Sequence, residues 1–330
     1  MANNNENTRS KMNSKKLKSM LGSYGIILVL VLLVVVFSCL SSRFLLANNI
    51  FNILRQTSIV GIISVGMTFV LLTGGIDLSC GSIVGASCVG AALLMTEGQM
   101  HPVPACILMV LFGTVLGLVN AFFISQWKVP PFIATLGTMT SVRGIAYIIT
   151  GGLPVFGFNR SFTVIGQGYL GIVPIPVLIM AVVFAFGIIF LNKTRIGRHI
   201  YGVGGNEEAA RLSGVNVKVV KYLVYGISGF MSALAGVVLL ARVNSGQPNA
   251  GEGYEMDVIT GVVLGGVSMS GGQGRLIMVV VGVLIMGILT NGMTMLTINE
   301  YVQQFIKGLV LIGAVALDSF IKEQRAKQRI

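Results

Sequence analysis

From residue 24 to residue 320 this chain is a succession of ten apolar runs separated by short polar breaks. They lie at 24–40, 50–72, 83–95, 103–125, 132–149, 174–191, 222–241, 256–267, 276–296 and 302–320. A membrane-spanning helix needs about 20 predominantly apolar residues, and most of the runs reach or approach that length. Two, 83–95 and 256–267, are short, with glycines interrupting the sequence beside each. A water-soluble domain is excluded by composition: 54% of the residues are apolar and 10% charged, where a soluble domain carries about a quarter charged residues. The 43 glycines agree, since glycine is enriched in membrane helices and lets backbones approach where lipid gives no hydrophobic drive for association. The expected fold is all-α: a polytopic membrane protein of about ten transmembrane helices, some discontinuous or re-entrant. It occupies residues 23–321, between polar tails at 1–22 and 322–330. No small-residue cleavage site follows the first run, so a retained span is expected there rather than a signal peptide.

A net charge of +12 raises the question of nucleic acid, and the placement of the charge answers it. Arg9, Lys11, Lys15, Lys16 and Lys18 precede the first run. Lys193, Arg195, Arg198, Arg211, Lys218 and Lys221 share one central segment, and Lys322, Arg325, Lys327 and Arg329 close the chain. Basic clusters separated by apolar spans follow the positive-inside pattern, so the expected partner is a lipid bilayer and not nucleic acid. With the N-terminus inside and strict alternation, these residues together with Lys128 and Arg275 place 17 of the 23 basic residues inside. Arg43, Arg160 and Arg242 fall outside, and Arg55, Arg143 and Lys307 fall within spans. Both termini are therefore expected in the cytoplasm. Trp127, beside Lys128, sits where a span meets the inner interface, as in the aromatic belts of membrane proteins.

The outside loop 151–173 is glycine-rich and is expected to form a hairpin or a short re-entrant element. Within it, Gly166-Gln-Gly-Tyr-Leu-Gly171 matches the spacing of a dinucleotide fingerprint, but no strand–helix unit surrounds it, and that role is set aside. Cys39, Cys80, Cys88 and Cys106 lie in or beside apolar runs without metal-ligand spacing. They read as small apolar fillers, not as disulfide or metal sites.

The chain also repeats itself. Gly74-Gly-Ile-Asp-Leu-Ser-Cys-Gly81 resembles Gly265-Gly-Val-Ser-Met-Ser-Gly-Gly272, and each copy follows one apolar run and precedes another. Paired glycine-interrupted segments in two halves of a chain point to the discontinuous helices of a transporter; the alternative is two glycine-rich turns alike by chance. Gly74, Gly75, Asp77, Ser79, Gly265 and Gly266 are thus candidates for helix breaks or a translocation path. Asp77 is the one acidic residue well away from obvious loops. A carboxylate there is costly unless paired or hydrogen-bonded. It either meets a polar substrate or caps the next helix by accepting a backbone N–H. Arg143 and Lys307 are either buried partners for a carboxylate or snorkelling cations.

No constellation for covalent chemistry is present. His101 and His199 are far apart in loops, and there is no Walker A sequence, so no catalytic residue and no ATP hydrolysis by this chain is expected. The spans also lack the pair of carboxylates expected of a carrier driven by a proton or sodium gradient, and no ring-forming selectivity sequence suggests a channel.

The central segment 193–221 is the most informative. Asn206 is a good N-cap, Glu207 and Glu208 complement the helix dipole in the first turn, and Gly214 is a good C′ stop. The expectation is a two-turn, free-standing, charged helix inserted between two spans. So short a helix is not stable alone and needs a partner surface. Ala209 and Ala210 at its middle would allow close approach, Glu208 would add a charged contact at the rim, and Arg211 belongs to the same helix.

At this point the chain resembles a family. Glu208, Ala209, Ala210 and Gly214 match the Glu-Ala-Ala-x-x-x-Gly loop of ABC importer permeases. The wider segment 204–217 resembles the ribose-type monosaccharide permeases, as do 65–79, 131–137, 247–257 and 262–266, in collinear order over about residues 45–320. The Ile-x-Leu-Pro ending found after this glycine in other ABC permeases is missing, which places the chain in the sugar branch. The resemblance implies a permease that works as a homodimer or heterodimer in the bacterial inner membrane. It implies that a periplasmic sugar-binding protein delivers a monosaccharide, and that a separate cytoplasmic ABC ATPase binds the ATP and drives transport through residues 206–214. No cofactor of the chain's own is implied.

Overall fold

A computed structural model describes residues 25–158 and 160–327. The basic residues of the 1–22 tail and Arg329 lie outside the described residues, as do the side chains of Arg160, Lys322, Arg325 and Lys327. Each of the ten apolar runs is a helix: α1 (Gly25–Leu40), α2 (Ala47–Leu72), α3 (Cys80–Thr96), α4 (Pro102–Ser125), α5 (Pro131–Thr150), α7 (Ile175–Lys193), α10 (Val217–Val243), α11 (Tyr254–Leu264), α12 (Leu276–Met295) and α13 (Glu300–Lys327). Three shorter helices lie between spans: α6 (Val164–Gln167), α8 (Arg195–Gly205) and α9 (Glu207–Leu212). Among the described residues, seven helices, α2, α4, α5, α7, α10, α12 and α13, are long and apolar enough to cross a membrane.

The ends of these helices follow local chemistry. Proline sits in the first turn of α4, α5 and α7, where the missing N–H costs nothing. The Asn216 side chain accepts from the Val219 N–H to start α10, and Asn244 ends it in the left-handed region at φ 57. Within α2 the hydroxyls of Ser58, Ser64 and Thr68 donate to the carbonyls of Leu54, Val60 and Ser64. Bonding four residues back satisfies a polar group that lipid cannot.

Among these seven, the most enclosed are α2 and α10, with 83% and 78% of their apolar windows buried, against 6% for α13 and 17% for α5. α10 packs on α4, α2 and α3, while α11 packs on α12, α2 and α13. The outer faces of α5 and α13 are left for lipid or another chain.

Two helices are fragments. At ~1.5 Å per residue, α3 is about 25 Å long and α11 about 17 Å, both short of the ~30 Å hydrocarbon. Each is preceded by non-helical chain, residues 73–79 before α3 and 244–253 before α11. The two fragments start beside one another: a Cβ on Gly81 would press on the Gly251 carbonyl and the Glu255 carboxylate. The Arg143 guanidinium on α5 fixes the second unwound segment, donating to the carbonyls of Pro248 at 2.9 Å and Ala250 at 2.7 Å. Discontinuous helices were expected after α2 and α11; the structure adds the unwound segment before α11.

The loop 151–173 contains a hairpin. Tyr169–Leu170 pairs antiparallel with Val173–Pro174, turning at Gly171 with φ 62. The Arg55 guanidinium lies 4.5 Å from the Tyr169 ring centre and donates to the Gln167 carbonyl at 3.2 Å. Gln167 in turn donates to the Arg242 carbonyl at 3.0 Å.

Candidate functional site

The central segment differs from expectation in one respect: it holds two helices, not a free-standing one. α8 starts where the Thr194 hydroxyl accepts from the Gly197 N–H at 3.0 Å. Its buried residues Gly197, Ile200 and Val203 recur every three positions, so one face packs inward despite four glycines. Asn206 closes α8 and opens α9. Its side-chain oxygen accepts from the Ala209 N–H at 2.9 Å. At the other end of α9 the Val215 N–H donates to the Ala210 carbonyl and the Gly214 N–H to the Arg211 carbonyl, both at 3.0 Å. With Gly214 at φ 85, this is the paired-bond C-terminal cap that favours glycine.

The side chains of α9 divide into two faces. Ala210 is buried and turns inward, so of the two alanines only Ala209 is presented outward. Glu208 and Arg211 pair at 2.6 Å, and as both are well exposed the pair adds little stability. Glu207 pairs with Lys221 of α10 at 3.0 Å, tying α9 to the bundle. Leu212 is 79% exposed and was not among the residues singled out from sequence. An apolar residue inside a capped polar helix is the signal that could have found it.

Behind α9, α8 meets both glycine-rich breaks. A Cβ on Gly204 would overlap the Leu72 carbonyl oxygen and sit 2.5 Å from the Gly272 nitrogen. The Gly272 N–H donates to that same Leu72 carbonyl at 2.9 Å. The Tyr201 hydroxyl donates to the Gly274 carbonyl at 3.0 Å. Burial pushes the Tyr201 pKa up, opposed by the nearby Arg275 charge, so the hydroxyl keeps the proton it donates. The last residue of α2, the loop after α11 and the end of α8 therefore form one backbone-to-backbone junction.

The two sequence copies share local geometry. Asp77 accepts from the Ser79 N–H at 3.0 Å, and Ser268 accepts from the Ser270 N–H at 3.2 Å. Gly74 and Gly266 both adopt positive φ, 76 and 79, one register step apart. Gly75 lies against the Tyr225 ring and hydroxyl, and Gly265, at the end of α11, against the α12 backbone at Val279. The copies then diverge, since Gly81 lies in α3 and Gly272 in the loop.

Asp77 is fully buried. Ser79 donates to one carboxylate oxygen through both its hydroxyl and its N–H. Ser228 of α10 donates to the other at 2.6 Å. Asn120 of α4 donates to the Ser79 hydroxyl at 2.9 Å, and Thr138 of α5 donates to Asn120 at 2.6 Å. The turn thus precedes α3 and is bolted to α10, α4 and α5. Of the three basic residues within spans, Arg55 and Arg143 donate to backbone carbonyls, and Lys307 pairs with Asp257 at 2.7 Å.

Comparison with known proteins agrees with this arrangement. Residues 49–315 match the family described as the branched-chain amino acid transport system permease component. The chain is 44% identical over 296 residues to the ribose import permease protein RbsC of Bacillus subtilis, covering 89% of this chain and 92% of that one. It is 41% identical over 297 residues to RbsC of Escherichia coli K12, with the same coverage. Over 336 residues it is 38% identical to the galactose/methyl galactoside import permease protein MglC of E. coli K12, covering 96% of this chain and all of that one. No solved structure matches. The chain belongs to that family of permease components and, within it, to the ribose-type sugar permeases of ABC importers.

Proposed function

We propose that this chain is the inner-membrane permease of a monosaccharide importer, that it works as a dimer, and that α9 couples it to a separate ABC ATPase. The observation that carries the coupling role is the pairing of a capped, outward-facing α9 with the junction behind it. A displacement of α9 passes through Asn206 into α8, and from Gly204 into both breaks at once. α9 supplies Glu208, Ala209, Arg211 and Leu212 to the ATPase, while Ala210 and Gly214 hold its form. A periplasmic binding protein supplies the sugar at the opposite end, ribose being the substrate suggested by the names of the relatives. ATP is bound and cleaved by the partner.

In the reconstituted complex, Glu208→Lys and Gly214→Pro should cut substrate-stimulated ATP hydrolysis several-fold at normal protein yield. Proline cannot reach φ 85 and has no N–H for the Arg211 carbonyl, but the lesion is confined to a surface helix. Full stimulation by both variants would remove α9 from the coupling role.

The orientation rests on the basic residues. Lys218 donates to Gln126 beside Lys128, and Tyr201 to Gly274 beside Arg275, so these residues share the α8–α9 end, which the positive-inside rule reads as cytoplasmic. A reporter active only in the cytoplasm, fused after Ile330, should be active; a silent one beside a working periplasmic fusion would overturn the topology.

A further inference from the structure

The loop 151–173 leaves an apolar tip uncovered. Leu170 is 70% exposed and Ile172 80%, on either side of the turn at Gly171, and Val164 of α6 is exposed as well. From residue 161 to residue 192 the chain carries no Asp, Glu, Lys or Arg. Other loops at the end away from α8 do carry charge: Arg43 before α2, Glu97 before α4 and Glu300 at the start of α13. Bare aliphatic side chains clustered on a surface mark a contact with protein or with membrane.

The length of α7 sets the depth of this tip. Its 19 residues span about 28 Å at ~1.5 Å per residue, so the ~30 Å hydrocarbon layer is nearly filled between Lys193 and Ile175. Val173–Pro174 therefore stand where the acyl chains end. The hairpin arms are short, at ~3.3 Å per residue, so the tip stays within reach of the headgroup layer. Below it Val182, Phe186 and Ile189 are exposed at the spacing of one helix face, and the hairpin continues that lipid-facing surface without a charged break. The backbone also meets the condition for leaving water. The Ile175 N–H donates to the Gly168 carbonyl at 3.0 Å and the Gly168 N–H to the Val164 carbonyl at 2.9 Å, while Pro174 has no N–H to satisfy.

The rest of the element is fastened to protein. Gly166 lies against the backbone of Ala241 and Arg242. Tyr169 packs edge-on against Phe51 with ring centres 6.0 Å apart, and Arg55 and Gln167 complete the hold on α2 and α10. A tip braced in this way is presented outward rather than folded away. A protein that docks and leaves meets a surface no more apolar than average, whereas lipid is a permanent neighbour that wants no charge at all.

We propose that the hairpin at 169–174 seats Leu170 and Ile172 among the phospholipid acyl chains at the end away from α8, so that the bilayer itself holds the ends of α2 and α10. Trp127 is the single tryptophan and is exposed, so Trp127→Phe gives a tryptophan-free background. In it Ile172→Trp, Leu170→Trp and, as a lipid-facing control, Phe186→Trp are compared one at a time. Each full chain is placed in nanodiscs of phosphatidylcholine, plain or brominated near the glycerol end of the acyl chains, and its emission is measured. Ile172→Trp and Leu170→Trp should both emit to the blue of free N-acetyltryptophanamide in the same buffer. Both should lose emission to the brominated lipid to an extent nearer that of Phe186→Trp than that of the free indole. Quenching nearer the free indole at either position would overturn the proposal. Emission that bromine leaves untouched but that shifts when a sugar-binding protein is added would overturn it as well, and would give the tip to that protein. Both positions are exposed, so thermal unfolding should match that of Trp127→Phe alone.

Discussion

Gly204→Val is expected to reduce ATP-driven uptake at least about tenfold, the effect of a coupling loss near 1.4 kcal/mol, while leaving the helical bundle folded. The position has no room: even the first carbon of a side chain would overlap the Leu72 carbonyl oxygen and crowd the Gly272 nitrogen. Both neighbours are backbone and cannot rotate away. α8 must therefore lift off the ends of α2 and the loop after α11, and the path from α9 to the breaks is cut. α8 lies between spans, and its Ile200 and Val203 belong to the buried core around α2 and α10, so protein yield is read beside uptake to separate lost coupling from lost packing. Gly204→Ala should show a smaller loss, and Tyr201→Phe, which removes only the bond to the Gly274 carbonyl, a smaller one still. The measurements are uptake in proteoliposomes, ATPase stimulation and yield of monodisperse protein. Wild-type uptake by Gly204→Val would show that the junction transmits nothing.

The second large effect is on stability. Asp77→Ala should destabilise the chain by roughly 3 kcal/mol, because it removes three hydrogen bonds and leaves buried hydroxyls without their acceptor. Ser79 and Ser228 lose that acceptor directly, and Asn120 and Thr138 lose the hydroxyl that orders them. The break would then be free of α10, α4 and α5 together. Asp77→Asn, which keeps the shape and one acceptor oxygen, should fall between the alanine variant and wild type. Thermal unfolding in detergent, read beside expression yield, separates the three. A midpoint for Asp77→Ala equal to wild type would mean that the network is incidental.

What the sequence made legible was local. Ten apolar runs became ten helices because length and hydropathy alone decide a span. The caps of α9 could be read from Asn206 and Gly214, since both bonds close within a few residues. α8 was missed because Gly197, Gly202, Gly204 and Gly205 read as loop, although Thr194 at the cap and the spacing of Ile200 and Val203 were available signals. The direction of Ala210 was illegible, since it depends on where α9 sits on α10. Asp77 could not be assigned its partners, because Ser228 lies 151 positions away and Asn120 reaches it only through Ser79.

The meeting of α3 and α11 carries an electrostatic consequence. A helix start bears about half a positive charge, and here two such starts face each other inside a medium that screens weakly. Left bare, they would push the two halves of the chain apart. The Glu255 side chain stands in the first turn of α11 and against Gly81 at the start of α3, so one acidic residue faces both helix starts. The two fragments thus share one acidic residue where they meet, and any motion that separates α3 from α11 takes that residue away from one of the two helix starts.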